Sequence, residues 1–399
     1  MTVPPKTRPE TVAVWLLAVG QTLTYAGVYY AFPALLPDLQ AATGWSVATL
    51  AAGPTVSFLM MAGLTPVTGR LVDLGYGGEM LTWLPVLAAL AVAGLGVAAA
   101  PWQWLLLWAV IGVAQAGCLY ETCFAFLTRR LGDGARPAIT KVTVVAGFAG
   151  TLAFPLGDVL GRTLGGQGAL VAFAGLILIG AVPVNALAVR SLRRLERAGT
   201  VRPAPEPGAL AQALRRPAFW GISAIFGLIW LNHGILLTYV LMLFEDRGAN
   251  HATATIAAAC IGPAQVVGRL VLLMNEARIG NARALLFSLM AVVGAGVLLW
   301  LAGVAPLLIF AFAALQGAGA GLLSILRPML IADILGRRGF GAVSGAVAVS
   351  PILASAAAPS FGALLLGWGG PGLIYLACLL MAAGGLAIGF WMMRNLPRP

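Results

Sequence analysis

The chain has 399 residues, of which 60% are hydrophobic and 9% are charged, and its formal net charge is +11. Soluble domains contain about a quarter charged residues, so this composition excludes a water-soluble globular protein and indicates an integral membrane protein. The basic residues lie between hydrophobic segments, which is typical of topology signals and not of a nucleic-acid-binding stripe. The four cysteines and two histidines lack the spacing of a metal site, so we expect no metal and no cofactor.

Apolar runs separated by charged or Pro/Gly-rich breaks predict twelve transmembrane helices, because each run is long enough to cross a bilayer. Their continuous hydrophobicity excludes the alternation of an outer-membrane barrel. The first run is too long for a signal-peptide core, so we expect no cleavable signal. The fold class expected is therefore all-α integral membrane. The approximate limits of the spans, numbered 1 to 12 in chain order, are 12–36, 46–70, 80–99, 104–128, 138–161, 168–190, 217–244, 252–274, 283–302, 305–332, 340–366 and 371–393.

Span 1 carries a polar and aromatic stripe. Gln21, Tyr25 and Tyr29 recur at every fourth position, which places them on one face of a helix. Amide and hydroxyl groups on such a face can hydrogen-bond a substrate while the rings stack against it. Packing against span 5, with each hydroxyl satisfied there, is an equally supported alternative.

Span 2 ends in the sequence GRLVDLGYGGEM, which contains Gly69, Arg70 and Asp73. The tetrapeptide GRLV recurs at 268–271, in the second span of the other half of the chain. The matching positions indicate a duplicated six-helix unit. We expect Gly69, Arg70, Asp73 and Arg269 to have gating or structural roles.

Span 4 contains Tyr120 and Glu121 inside an apolar stretch. A charged group at membrane depth costs about 2.5–3.5 kcal/mol on insertion scales and is a functional candidate by default. Span 10 contains Arg327, and both charged residues lie about ten positions before a basic loop, as expected for related depths under pseudo-two-fold symmetry. We expect Tyr120 to contact substrate beside Glu121.

The longest polar segment, 191–216, divides the chain into 1–190 and 217–399, each with six spans. We expect two pseudo-symmetric six-helix bundles joined by a cytoplasmic linker that can hold a short amphipathic surface helix. Most arginines between spans fall on the side of the N-terminus, so the positive-inside rule places both termini in the cytoplasm. The expected location is the inner, or plasma, membrane.

Polar residues of spans 7 and 10 complete the candidate site. Asn232 and His233 lie at the middle of span 7, Tyr239 follows one heptad after Asn232, and Gln316 lies in span 10. We expect Asn232, Tyr239 and Gln316 to contact substrate. His233 is a candidate proton carrier, and a hydrogen-bonded packing role is the alternative.

The six-plus-six arrangement, the basic central linker and the loop after span 2 together resemble the major facilitator superfamily over nearly the whole chain. Non-basic residues stand where the family loop usually has basic ones, at Leu74, Gly78 and Glu79. The resemblance implies a monomer that alternates access to a midplane site lined by spans 1, 4, 7 and 10. The family loop pattern is matched at Gly69, Leu71, Asp73, Gly75 and Gly77.

Within that superfamily, the segments GQTLTYAGVYYAFPAL, LYETCFAFLTRR and IGPAQVVGRL resemble bacterial monocarboxylate and oxalate/formate transporters. In the monocarboxylate group an arginine of the eighth helix handles the substrate carboxylate. Arg269 occupies a similar place, and Gln265 stands where that group has an acidic partner. Span 5 lacks the Gly-Pro pair of drug–proton antiporters, which weakly disfavours a drug exporter.

The function expected is secondary active transport of a small, monocarboxylate-like organic anion, with proton-coupled symport. Arg327 would bind the carboxylate, since a guanidinium fork matches it, and Glu121 would neutralise Arg327 or carry the proton. A structural ion pair is the alternative for these two residues. A transporter of a larger planar or aromatic metabolite, such as a vitamin-like compound or drug, is the second hypothesis, and a transporter-like receptor or sensor is the third. The sequence contains no phosphate loop, GxSxG elbow or HExxH motif, so we expect no enzyme.

Overall fold

The structure is a computed structural model that describes residues 8–196, 208–275 and 279–395. These residues form helices joined by short loops, and no strand occurs among them. The α-helices of the described chain are α1 (Arg8–Tyr25), α2 (Ala31–Thr43), α3 (Val47–Asp73), α4 (Gly77–Leu95), α5 (Pro101–Cys118), α6 (Tyr120–Leu131), α7 (Ala135–Ala146), α8 (Ala149–Leu176), α9 (Val182–Glu196), α10 (Ala209–Leu214), α11 (Pro217–Thr238), α12 (Val240–Asp246), α13 (His251–Ala259), α14 (Ile261–Met274), α15 (Asn281–Leu301), α16 (Leu308–Leu330) and α17 (Phe340–Asn395).

Ten segments of the described chain are long and apolar enough to cross a membrane. Two of them, Ala135–Arg194 and Phe340–Asn395, are too long for a single crossing. Each is interrupted by a glycine with a positive φ, which is 71° at Gly165 and 64° at Gly370. Each long segment therefore contains two crossings, and the prediction of an all-α membrane protein with twelve spans is confirmed.

Local sequence signals explain where several helices begin and end. Ser46 precedes α3, and its Oγ accepts a hydrogen bond from the backbone N–H of Thr49 at 3.1 Å. Asn250 precedes α13 and accepts from Thr253 N at 2.9 Å in the same way. Gly44 ends α2 in the left-handed conformation, with φ 69°.

Several spans contain irregular backbone. Span 4 is broken at Leu119, whose extended conformation (φ −92°, ψ −164°) separates α5 from α6. The π-helical turns of the described chain lie at Ala26–Tyr30 in span 1, Ile177–Ala181 in span 6 and Ile331–Leu335 after α16. Such turns often occur at functional sites, and two of them lie on spans that carry predicted site residues.

The described residues form two compact units. The first unit comprises the residues up to Ala209 together with Arg337–Ala346, and the second comprises Leu210–Gly336 and the residues from Val347 onward. The beginning of α17 thus belongs to the first unit. Each unit has its own apolar core, in which large buried side chains include Trp104 and Phe173 in the first and Phe244 and Phe312 in the second.

The predicted linker, 191–216, is only partly described. Helix α9 continues to Glu196, beyond the predicted end of span 6, and Arg193 at this extension forms an ion pair with Glu79. Arginine is a good helix former and its charge can be solvated outside the apolar region, so nothing in this sequence stops the helix at 190. Helix α10 (Ala209–Leu214) lies near the other end of the segment, and 197–207 lie outside the described residues.

Candidate functional site

The break in span 4 leaves backbone carbonyl groups without helical hydrogen bonds. Side chains of neighbouring spans donate hydrogen bonds to these carbonyl groups. Gln21 of α1 donates from Nε2 to Cys118 O at 2.9 Å, and Thr68 of α3 donates from Oγ1 to Ala116 O at 2.9 Å. Irregular backbone at membrane depth is tolerated only where its polar groups are satisfied in this way. Gln21 is fully buried, and its Oε1 has no hydrogen-bond partner among the described residues.

Aromatic residues of spans 1 and 4 meet just beyond this break. The hydroxyl oxygen of Tyr25 accepts from the backbone N–H of Tyr120 at 3.4 Å, and the centroids of the two rings lie 4.5 Å apart. The Tyr120 ring also stacks on Phe124 at 4.9 Å, and Tyr25 lies 6.0 Å from Tyr29. The structure therefore brings Tyr25, Tyr29 and Tyr120 into one cluster, in which Tyr25 packs against span 4.

Glu121 lies in the first turn of α6 and is half-buried. The partial positive charge at a helix N-terminus favours a carboxylate at this position. Because the break at Leu119 creates this N-terminus inside span 4, the irregular backbone stabilises an acidic residue where a continuous helix would not.

A cavity of about 170 Å³ lies in the first unit, beside the π-helical turn of span 1. At its polar end, Ser57 Oγ donates to Gln115 Oε1 at 2.5 Å, and Gln115 Nε2 donates to Val28 O at 3.0 Å. Gln115 therefore holds the π-helical turn against span 4. The uncharged lining includes Tyr29, Phe32, Ser57, Phe58, Trp108 and Gln115.

In the second unit, the amide side chains of spans 7 and 10 form a hydrogen-bonded cluster. Asn232 donates from Nδ2 to Cys378 O at 2.8 Å, and Gln316 donates from Nε2 to Asn232 Oδ1 at 3.1 Å. The same Nε2 lies 3.4 Å from His233 Nδ1. Gln316 is buried, and its Oε1 has no hydrogen-bond partner among the described residues. Three predicted residues are thus brought together.

Two arginines of the second unit are buried inside apolar helices. Arg269 of α14 is 7% exposed and donates to Gly321 O and to Gln265 Oε1, both at 3.4 Å. Arg327 of α16 is 8% exposed and directly precedes Pro328. The amide of Gln265, which stands where the resemblance implies an acid, is a direct partner of Arg269.

Tyr239 has surroundings different from those of the other predicted substrate contacts. It lies between α11 and α12 with φ −106° and ψ 12°, so the α-helical register that relates it to Asn232 in the sequence ends before it. Its hydroxyl donates to Pro359 O at 2.7 Å. This bond lies outside the amide cluster.

Two of the predicted gate residues of the first unit, Gly69 and Asp73, lie against the start of α17. Asp73 accepts hydrogen bonds from Gly341 N at 2.8 Å and from Ala342 N at 2.9 Å, and so caps this helix. Gly69 permits close approach, because a Cβ at this position would lie 2.0 Å from Gly341 O. Arg70, next to it, is exposed.

Basic residues reach this region from other helices, although the loop after span 2 lacks them. Arg129 at the end of α6 donates from Nη1 to the backbone oxygen of Asp73. Glu79, which stands in place of a basic residue, pairs with Arg193 of α9. These contacts hold the loop within the first unit.

Sequence reasoning did not identify Ser57, Trp108 or Gln115 as residues that line a cavity. Trp108 and Gln115 are one heptad apart in span 4, so their spacing could have placed them on one face. The sequence did not indicate the break at Leu119, since neither a proline nor a charged residue directly precedes it.

The sequence matches the family model of the Major Facilitator Superfamily over residues 17–305. The chain belongs to this superfamily, and it is therefore a multi-pass membrane transporter and not an enzyme. No curated protein matches the sequence. The comparisons establish the superfamily and do not extend to the monocarboxylate and oxalate/formate group.

Solved transporter structures share the fold over nearly the whole chain. The human organic anion transporter MFSD10 (TETRAN) is 18% identical, with a TM-score of 0.69 and coverage of 96% of this chain and 100% of that one. A bacterial homologue of the iron transporter ferroportin, in the outward-facing state with soaked iron, is 16% identical, with a TM-score of 0.76 and coverage of 98% and 100%. The transporter FucP in the outward conformation is 15% identical, with a TM-score of 0.70 and coverage of 96% and 99%. At these identities the likeness is one of fold.

Proposed function

We propose that the protein is a secondary transporter of a small organic anion, coupled to protons by symport. The observation that carries this proposal is the burial of Arg327, which is 8% exposed inside the apolar helix α16. A permanently charged side chain at membrane depth is costly and marks substrate or ion pathways. Its planar fork of donors matches a carboxylate. The fold is shared with a human organic anion transporter, which is consistent with this substrate class.

Glu121 is the proposed proton site. It lies in the first turn of α6, beside a cluster of tyrosines and a break in the backbone. An acidic residue at membrane depth is a candidate member of a proton relay. His233, in contact with Gln316, is the second candidate for proton transfer.

The remaining substrate contacts are proposed from the polar clusters of each unit. Gln21 and Gln316 each have a buried oxygen with no partner among the described residues, so each can accept a hydrogen bond from a substrate or a water molecule. We place the protein in the plasma membrane as a monomer, with both termini in the cytoplasm, because the arginines between spans favour that side.

Uptake into proteoliposomes tests this proposal. A mixed pool of metabolites is offered with and without an inward proton gradient, and accumulated compounds are identified by mass spectrometry. We expect monocarboxylates to accumulate only with the gradient. Arg327→Lys should reduce their uptake about 10- to 100-fold, as expected for losing hydrogen bonds to a charged group. Glu121→Gln should abolish accumulation driven by the gradient and retain exchange of labelled for unlabelled substrate.

Matched controls come from an exposed ion pair, in which Arg162 Nη2 lies 2.9 Å from Asp158 Oδ1. Arg162→Lys and Asp158→Asn make the same chemical changes at the surface and should leave uptake unchanged. Normal transport by both Arg327→Lys and Glu121→Gln would contradict the assignment of these residues.

Transport of an uncharged aromatic metabolite is the second candidate function. The aromatic lining of the cavity in the first unit favours it. Uptake of neutral aromatic compounds alone, without carboxylates, would select this candidate and remove the carboxylate role of Arg327.

A further inference from the structure

The amide cluster of the second unit fixes the orientation of each of its side chains. The backbone oxygen of Cys378 can only accept a hydrogen bond, so Asn232 must present its Nδ2 there, at 2.8 Å. Asn232 Oδ1 then faces Gln316, which must present its Nε2, at 3.1 Å. The order of donors and acceptors along the cluster thus follows from one backbone carbonyl group.

That order determines which nitrogen of His233 carries the ring hydrogen. Gln316 Nε2 lies 3.4 Å from His233 Nδ1, and an amide nitrogen is a donor only. A hydrogen on Nδ1 would point at the hydrogens of the amide group, so Nδ1 is the acceptor in this pair. When Nδ1 of a neutral imidazole is the acceptor, Nε2 is the donor. The cluster therefore holds His233 as a donor at Nε2.

Gln316 keeps this orientation although one of its own acceptors is left unused. Its Oε1 is buried and has no hydrogen-bond partner among the described residues, which is costly. Turning the amide over would set Oε1 against Asn232 Oδ1, so that two acceptors would meet. The orientation that directs Nε2 to His233 is therefore the one that the neighbours of Gln316 require.

The donor end of His233 is accessible, unlike the amides that hold the ring. Asn232 is 2% exposed and Gln316 is 1% exposed, whereas His233 is half-buried. Its Nε2 has no hydrogen-bond partner among the described residues and is not one of the fully buried polar atoms there. A donor that is oriented at membrane depth and left open in this way is suited to bind a ligand.

This donor is separate from the proposed carboxylate site. Gln316 and Arg327 are eleven residues apart in α16, which corresponds to about 16 Å along a helix. A three-carbon acid is much shorter than this distance. A small anion would therefore contact His233 and Arg327 in turn and not together.

We propose that His233 is a second binding position for the transported molecule, at which a neutral imidazole donates Nε2–H to an oxygen atom of that molecule. Asn232 and Gln316 are positioning residues that fix the ring. The inference rests on the proposed function for the class of ligand, a small organic anion, and it assigns His233 to binding instead of proton transfer. The ring nitrogen without a hydrogen, Nδ1, is already occupied by Gln316.

Solid-state NMR of the full-length protein in lipid, with isotope-labelled histidine, tests the position of the ring hydrogen. The chain contains only two histidines, His233 and His251, so His251→Gln assigns the signals. We expect a hydrogen on Nε2 of His233 and none on Nδ1. Gln316→Leu should release the ring and give a mixture of the two tautomers. Gln21→Leu, which removes a buried amide of the first unit, is the matched control and should leave the signals of His233 unchanged.

Addition of pyruvate, the probe anion, tests binding in the same samples. It should shift the Nε2 signal of His233, and the shift should persist in Arg327→Lys because the two positions are separate. A hydrogen on Nδ1, or a shift that is lost in folded Arg327→Lys, would overturn the proposal. A shift in the wild type without gradient-driven uptake of pyruvate into proteoliposomes would retain this position and reject symport. Uptake without a shift would retain the transport function and reject this position.

Substitutions of His233 separate binding from proton transfer. His233→Phe keeps a ring without the donor, so uptake of pyruvate below saturation should fall about tenfold, as expected for one hydrogen bond to a charged group. His233→Gln supplies an amide donor and should recover most of that loss. Because an amide does not titrate, loss of gradient-driven accumulation in folded His233→Gln would indicate a proton carrier and overturn the proposal. His251→Phe and His251→Gln, at the start of α13, are the matched controls and should leave uptake unchanged.

Discussion

The tetrapeptide GRLV occurs once in each unit, and its arginine has opposite surroundings in the two. Arg70 is exposed, whereas Arg269 is 7% exposed and donates to Gly321 O and Gln265 Oε1. Both arginines lie in the last two turns of their helices, Arg70 in α3 and Arg269 in α14. The repeat does not predict their environments, because one partner of Arg269, Gly321 O, is supplied by the distant helix α16.

The residues around each arginine explain the difference. In the first unit, Gly69 allows the start of α17 to approach, and Asp73 caps that helix. In the second unit, Gly268 lies close to α16, where a Cβ would be 2.7 Å from Ala318 O, and the buried Leu272 takes the place of the aspartate. In the first unit the polar contacts are thus formed by Asp73, the residue directly after the repeat. In the second unit they are formed by Arg269, which lies within the repeat.

The largest effect should follow from adding a methyl group to the first repeat. In Gly69→Ala the Cβ would lie 2.0 Å from Gly341 O, a distance that requires the backbone of α17 to move. We expect a loss of about 3 kcal/mol in the free energy of unfolding, at the upper end of overpacking. Thermal unfolding of the purified protein, followed with a thiol-reactive dye that detects exposure of the buried Cys118 and Cys123, measures it.

Two alanine variants calibrate this loss. Gly63→Ala lies on the same helix, and among the described residues no atom outside that helix's own backbone lies within 4 Å of the added Cβ, so it should be neutral or slightly stabilising. Gly268→Ala, with its contact at 2.7 Å, should cost less than Gly69→Ala. Equal stability of the Gly69 and Gly63 variants would contradict the close approach of α17.

A smaller effect should follow from removing the cap on α17. Asp73→Ala eliminates the acceptor for Gly341 N and Ala342 N and should cost about 2 kcal/mol, at the upper end for a helix cap. Asp73→Asn keeps one acceptor oxygen and should cost about 1 kcal/mol. Hydrogen exchange at the start of α17 checks the mechanism, since the loss of the cap should increase exchange there. A uniform increase across the first unit would indicate general destabilisation instead.

The sequence predicts the number of spans and the insertion of the chain in a membrane well, because both depend on properties summed over many residues. Apolar runs of sufficient length identify a crossing whatever the details of its packing. Even the two segments that are helical on both sides of a break, around Gly165 and Gly370, were divided correctly by their composition. The resemblance of the loop after span 2 then indicates the superfamily, to which the chain does belong.

The candidate site could be predicted less well from the sequence, because single contacts determine where each of its side chains lies. The stripe of Gln21, Tyr25 and Tyr29 does lie along one side of span 1, but the fully buried Gln21 bonds to Cys118 O while Tyr29 lines a cavity. Neither assignment follows from periodicity. The break at Leu119 and the unpartnered indole of Trp108 depend on distant segments, and hydropathy contains no information about them.

The smallest effect should distinguish the two arginines of the repeat. Arg269→Met removes the hydrogen bonds to Gly321 O and Gln265 Oε1, both of which are long, but it also removes the cost of burying a charge. Because these contributions oppose each other, we expect a net loss of about 1 kcal/mol in thermal unfolding. Arg70→Met changes an exposed side chain and should stay within about 0.5 kcal/mol of the wild type. A larger loss at Arg70 would mean that its guanidinium makes a stabilising contact within the protein and would contradict its exposure. Stabilisation by Arg269→Met would mean that the buried charge is retained for function at the expense of stability, which would favour a transport role for Arg269.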